Sequence, residues 1–126
     1  MLRSVSLSPT IPVKDVERAR KFYAEKLGFE PSDMSMGPDG VLVESGGSQF
    51  LLYPSEAPRG GHTLAGWPVT DLDAEMAELR GRGVVFEDYD LPELKTVNGV
   101  YESEAGRGAW FKDSEGNILA LMEMPR

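Results

Sequence analysis

Two stretches of the chain place apolar residues at helical spacing. Val16, Ala19, Tyr23 and Leu27 fall at i, i+3, i+7 and i+11, and Leu72, Met76, Leu79 and Gly83 trace a similar stripe. This is the period of a helix with one buried face. Asp15 and Asp71 stand where an N-cap oxygen would accept the free N–H groups of the first turn. Gly28 and Gly83 stand where each helix should stop. Other stretches read as strands. Val41–Glu44 and Gln49–Tyr53 flank Ser45-Gly46-Gly47-Ser48, and Trp110–Lys112 and Asn117–Met122 flank Asp113-Ser114-Glu115-Gly116. Each set reads as a β-hairpin. Thr96-Val97-Asn98-Gly99-Val100-Tyr101 is a third hairpin signal, because Asn-Gly suits a type I′ turn.

The elements repeat. Ile11-Pro12-Val13-Lys14-Asp15-Val16 returns as Trp67-Pro68-Val69-Thr70-Asp71-Leu72, an offset of 56 positions. Aligning Gly47 with Gly116 gives 69, so the second half carries 13 extra residues between its helix and its last hairpin, around Asp88–Arg107. Strand, helix and strands, given twice, predict an α+β fold with helices on one side of a curved, mostly antiparallel sheet. With no linker in view, residues 1–126 are expected to form a single domain. Its halves are 1–57 and 58–126.

Composition narrows the function. The chain has 126 residues, a net charge of −8 and no cysteine. That removes disulfides, zinc–thiolate sites and cysteine nucleophiles, and it fits a cytoplasmic setting. An acidic surface repels phosphate backbones and anionic lipid, so neither nucleic acid nor membrane is an expected partner. Nothing approaches the ~18 apolar residues of a membrane span, and the start has no signal-peptide run. The expected partner is a small organic molecule.

Ile11–Tyr23 followed by Leu27-Gly28-Phe29, together with the closing stretch Trp110–Leu119, resembles the vicinal-oxygen-chelate superfamily. That group includes glyoxalases, extradiol dioxygenases, fosfomycin-resistance enzymes and bleomycin-resistance binding proteins. The resemblance implies two βαβββ modules forming a barrel-like sheet around a cavity, commonly in a homodimer. It also implies metal-ligand positions. A first-strand His normally precedes the helix-capping Asp by seven residues, and a last-strand Glu follows the hairpin glycine by four. Here those positions are Ser8, Leu64, Leu51 and Ala120. None supplies the imidazole or carboxylate a divalent cation needs. No metal or other cofactor is expected.

Strand parity then selects the inward face: Ser6, Ser8 and Thr10; Gln49, Leu51 and Tyr53; His62, Leu64 and Gly66; Ile118, Ala120 and Met122. Such a lining suits an apolar or aromatic ligand. Alternatively these side chains fill the interior, the better reading for Leu51, Leu64, Ile118 and Met122. Trp110 and Tyr101, beside the extra segment, would flank a pocket mouth, and Trp67 reads as structural. His62, the single histidine, is either an exposed loop residue or a cavity base, the one catalytic candidate. The expected ligand-binding set is Ser8, Gln49, Tyr53, His62, Tyr101 and Trp110. The function read from these residues is metal-independent binding and sequestration of a small molecule. The alternative is a lyase, isomerase or dioxygenase of the same superfamily.

Overall fold

The computed structural model describes residues 1–37, 40–57 and 60–125. Backbone contacts divide the chain into two compact units, Met1–Arg59 and Gly60–Arg126. Pro58 and Arg59, which stand before Gly60-Gly61 in the loop expected to lead to His62, lie outside the described residues.

The first unit runs β1 (Thr10–Val13), α1 (Val16–Glu25), β2 (Met34–Gly37), β3 (Gly40–Ser45) and β4 (Ser48–Pro54). Its sheet has the order β1-β4-β3-β2, with β1 parallel to β4 and the other pairs antiparallel. The second unit runs β5 (Thr63–Pro68), α2 (Leu72–Gly81), a short pair β6 (Asp90–Leu91) and β7 (Leu94–Lys95), then β8 (Tyr101–Ser103), β9 (Gly106–Lys112) and β10 (Ile118–Glu123). Its sheet order, β5-β10-β9-β8, repeats the first topology, again with one parallel pair, β5 with β10. The α+β class and the two βαβββ modules are therefore present, with β6 and β7 added to the second.

The curved sheet is not a closed barrel. The sheets are two separate four-stranded ladders, and no ladder among the described residues joins them into a closed barrel. Closure would require edge strands to pair. The repeated prolines Pro12 and Pro68 lie on the edge strands β1 and β5. Proline has no N–H to offer to a ladder, so it is tolerated at a sheet edge.

Both helices start where their sequences predict. Asp15 accepts a hydrogen bond from the Arg18 amide at 3.0 Å, and Asp71 accepts one from Ala74 at 3.1 Å. Asp15→Ala is expected to cost about 1 kcal/mol of stability, read from urea unfolding, while Asp15→Asn should cost far less. Past α1, Gly28 at φ 84° turns the chain so that Phe29 N–H reaches the Tyr23 carbonyl at 3.1 Å. Leu27 consequently lies beyond the helix end rather than on its stripe.

The core lies on the helix side of each sheet. In the first unit Ile11, Val13, Val41, Val43, Phe50 and Leu52 are buried with Ala19 and Tyr23 of α1. Tyr23 and Phe29 each bring a ring to within 5.8 Å of the Phe50 centroid. In the second, Phe111, Leu119 and Leu121 are buried with Leu72, Met76 and Leu79 of α2. Trp67 stacks on Phe111 at 6.5 Å and 14°, the structural role expected of it. The expected interior residues Leu51, Leu64 and Ile118 are only half-buried, and Met122 is exposed. They have the opposite parity and sit outside the helix-side core.

The extra segment also differs from expectation. Asn98 and Gly99 have φ 52° and 81°, as a type I′ turn requires, but a single bridge, Val97 with Val100, flanks them. The hairpin stops there because Thr96 N–H goes to the Tyr89 carbonyl at 2.9 Å and Lys95 pairs with Asp90.

Candidate functional site

The face of the first sheet turned away from α1 carries Gln49, Leu51 and Tyr53. An open groove of about 470 Å³ there is lined by Thr10, Leu51, Tyr53 and Pro54. Ser8 and Ser6 precede this strand instead of belonging to it, a correction to the sequence reading. The ladder explains the late start. Pro9 carbonyl accepts from Leu51 N–H at 3.0 Å. Two residues earlier, a parallel ladder would have the Gln49 carbonyl accept from the amide of residue 9, which is proline and has none. The Ser8 hydroxyl supplies the missing donor, reaching the Gln49 carbonyl at 2.8 Å. Ser8 is thus engaged in holding the chain to β4. The Gln49 amide reaches its cross-strand neighbour Glu44 at 3.4 Å.

The corresponding face of the second sheet is aromatic. Trp110 on β9 is half-buried, with the Tyr89 ring at 5.8 Å and 77° and the Tyr101 ring at 6.2 Å and 56°. The indole Nε1 donates to the Thr63 Oγ1 at 3.0 Å. Trp110 and Gly66 are both register partners of Ala120, which is only 3% exposed. The Met122 methyl lies next to Gly66 on the same face. Small side chains therefore floor this face and large flat ones occupy it.

The extra segment delivers the tyrosines. Phe86 bridges to Phe111, and Glu87 N–H reaches the Trp110 carbonyl at 2.7 Å, so the segment is zipped to β9 just before Tyr89. Beyond it, the Asp88 carboxylate accepts from the Thr96 hydroxyl at 2.8 Å and from Gly99 N–H at 2.7 Å. The Thr96 hydroxyl in turn accepts from Tyr89 N–H at 2.8 Å. Burial, with a contribution from the Glu87 charge, pushes the Tyr89 phenol above the usual tyrosine range. It stays neutral at physiological pH.

His62 is exposed, in a bend before β5, and joins neither aromatic group. Ser8, Gln49 and Tyr53 lie in the first unit; His62, Tyr101 and Trp110 lie in the second, where Tyr101 and Trp110 are in contact. Two members of the aromatic face, Tyr89 and Thr63, are absent from the sequence-derived set. Thr63 is reached by a register shift between Ile118 and Leu119, which leaves Leu64 unpaired as the extra residue of a bulge and sets Thr63 opposite Ile118.

A metal does not fit the superfamily's positions here. Ser8 is bound to a backbone carbonyl, and Leu51, Leu64 and Ala120 have no donor atom. No three His, Asp or Glu side chains gather as metal ligands among the described residues. On the α2 side, a groove of about 640 Å³ is lined by Asp73, Arg80, Lys95, Glu102 and Arg107 among others. Its cations are already engaged. Arg107 donates to Glu123 at 3.0 Å and to Asp73 at 3.1 Å, which raises its pKa, and Arg80 donates to the Asn98 carbonyl at 2.9 Å. The groove reads as bracing for the extra segment.

Residues 6–46 match the family model described as bleomycin resistance protein-like N-terminal. The chain is 25% identical to the uncharacterized protein YurT of Bacillus subtilis (strain 168), over 90% of this chain and 94% of that one. Among solved structures it resembles TnmS3, an antibiotic binding protein from Streptomyces sp. CB03234, at 28% identity and a TM-score of 0.66, covering 97% of this chain and 98% of that one. It also resembles UcmS2, at 27% identity and a TM-score of 0.69, covering 94% and 97%. The fold alone is shared with a glyoxalase/bleomycin resistance protein/dioxygenase from Alicyclobacillus acidocaldarius, at 19% identity and a TM-score of 0.69, covering 95% and 91%. Topology, internal duplication and these matches support the likeness to the vicinal-oxygen-chelate superfamily. No helix among the described residues is long and apolar enough to cross a membrane.

Proposed function

We propose that this protein binds a small aromatic molecule without a metal and acts by sequestering it. One observation carries the reading. The open face of the second sheet presents Trp110 with Tyr89 and Tyr101, while the strand positions that would hold a metal carry side chains unable to do so. Aromatic side chains give broad contact area at small entropic cost, and neutral rings stack on them. The likeness to TnmS3, an antibiotic binding protein, supports binding of a small molecule. Gln49 and Tyr53 are a second, more polar set for orienting a ligand. The homodimer implied by the resemblance belongs to the same proposal. Leu2, Val5 and Leu7, all more than two-thirds exposed, are apolar surface a second copy would cover.

The test is a titration of tryptophan emission with aromatic probes, among them metal-free bleomycin and the planar cation proflavine, run with and without excess EDTA. Saturable quenching that EDTA leaves unchanged is expected. With a net charge of −8, association of proflavine should also slow as salt is added. Binding that appears only after a divalent metal is supplied would overturn the proposal, as would silence from every probe. Sedimentation of the purified protein decides the dimer.

A further inference from the structure

We propose that Thr63 is a positioning residue that pins the Trp110 indole flat across the second sheet, so that a ligand meets the ring's face and receives no hydrogen bond from it. The inference deepens the proposed ring-binding role and rests on it. An indole has a single donor, its Nε1–H. Here that donor is committed to the Thr63 Oγ1 at 3.0 Å. Thr63 and Trp110 lie on strands β5 and β9, which are separated by β10. The indole therefore spans a whole strand. The ring also passes beside Gly108 of its own strand, where an added Cβ would lie 3.6 Å from the indole Cη2. Beneath the span sits Ala120, the partner of both Trp110 and Gly66. A methyl group there leaves room for the ring to lie down over the sheet, and Ala120 is accordingly almost fully covered.

The acceptor is placed by local backbone structure. Leu64 is the extra residue of the bulge, and the shift sets Thr63 opposite Ile118. Bulges re-aim the side chains beside them. Threonine is also stiff about χ1, so its hydroxyl offers a fixed anchor. Without that anchor the indole would keep its contacts with the tyrosines but regain torsional freedom. Its stacking surface would then have to be ordered again for each ligand, which weakens binding.

The test uses Trp67→Phe as background, which leaves Trp110 as the only emitter of the two tryptophans. Thr63→Val and Thr63→Ser are compared by time-resolved anisotropy of Trp110 without probe, and by proflavine affinity. Thr63→Val should add a fast component to the anisotropy decay and weaken proflavine about fivefold, the scale of one lost hydrogen bond. Thr63→Ser should restore both. An unchanged decay in Thr63→Val, or a Thr63→Ser protein as mobile and weak as Thr63→Val, would overturn the positioning role. If the background protein fails to bind proflavine, the ring-binding reading falls, while the probe-free anisotropy still decides whether Thr63 pins the indole.

Discussion

Gly106→Ala is expected to be among the most damaging single substitutions in this chain, lowering stability by about 3 kcal/mol. Gly106 opens β9 at φ 125°, a conformation that any residue with a Cβ resists. An added Cβ would collide with the Glu123 carbonyl oxygen and lie 3.2 Å from its carbon, so the backbone of β10 would have to move. That piece of β10 is already committed. The Glu123 carboxylate accepts Leu72 N–H at 2.7 Å, at the first residue of α2, and receives Arg107 Nε at 3.0 Å. Displacing it loosens the start of α2 and the ladder together. A fall in melting temperature on the order of 10 °C should follow for a chain of this size. Gly81→Ala is the matched control. It lies at the end of α2 with nothing within 4 Å of an added Cβ, and should be neutral or slightly stabilising. Equal melting temperatures for the two variants would show that β10 yields freely at Glu123.

Gly106 also shows where the sequence was readable and where it was not. Its counterpart in the first unit is Gly40, which opens β3 at φ 136° with an added Cβ colliding with the Leu52 carbonyl. The repeat at Pro12 and Pro68 was legible because both halves keep the same residues at the same spacing before a capping aspartate. Gly40 and Gly106 were not, because their offset of 66 follows neither the 56 of the first strands nor the 69 of the hairpins. Parity grouped the residues of β4 correctly, since Gln49, Leu51 and Tyr53 share one face of the first sheet. It misjudged packing, because parity says which residues are together and not which face the helix covers. The helix takes Phe50 and Leu52, and leaves Leu51 half-buried. A bulge is invisible to any fixed period of two, so Thr63 was passed over in favour of Leu64. Tyr89 was hidden for a different reason. It stands in the acidic stretch Glu87-Asp88-Tyr89-Asp90, and its contact with Trp110 depends on Asp88 bracing Thr96 and Gly99, several residues away. An aromatic residue on each side of the Asn98-Gly99 turn was the available signal.

Trp110→Ala should abolish most aromatic binding, weakening proflavine by about a hundredfold, the scale of removing a central aromatic contact. The ring supplies the flat surface itself, whereas Tyr89 and Tyr101 border it, so Tyr101→Leu is expected to cost no more than about tenfold. Stability changes must be separated from this effect, because uncovering Ala120 weakens the sheet. Trp110→Phe does that. It retains a ring and much of the covered area but cannot donate to Thr63, so it should fold nearly as well and bind between the two extremes. The decisive comparison is non-additive. Thr63 acts only through the indole, so Thr63→Val should weaken binding in the wild-type background and change nothing once Trp110 is alanine or phenylalanine. A Thr63→Val effect that persists without the indole would mean that the threonine touches the ligand directly. The bulge at Leu64 would then serve to aim a hydroxyl at the ligand, and the site would read a polar group as well as a ring.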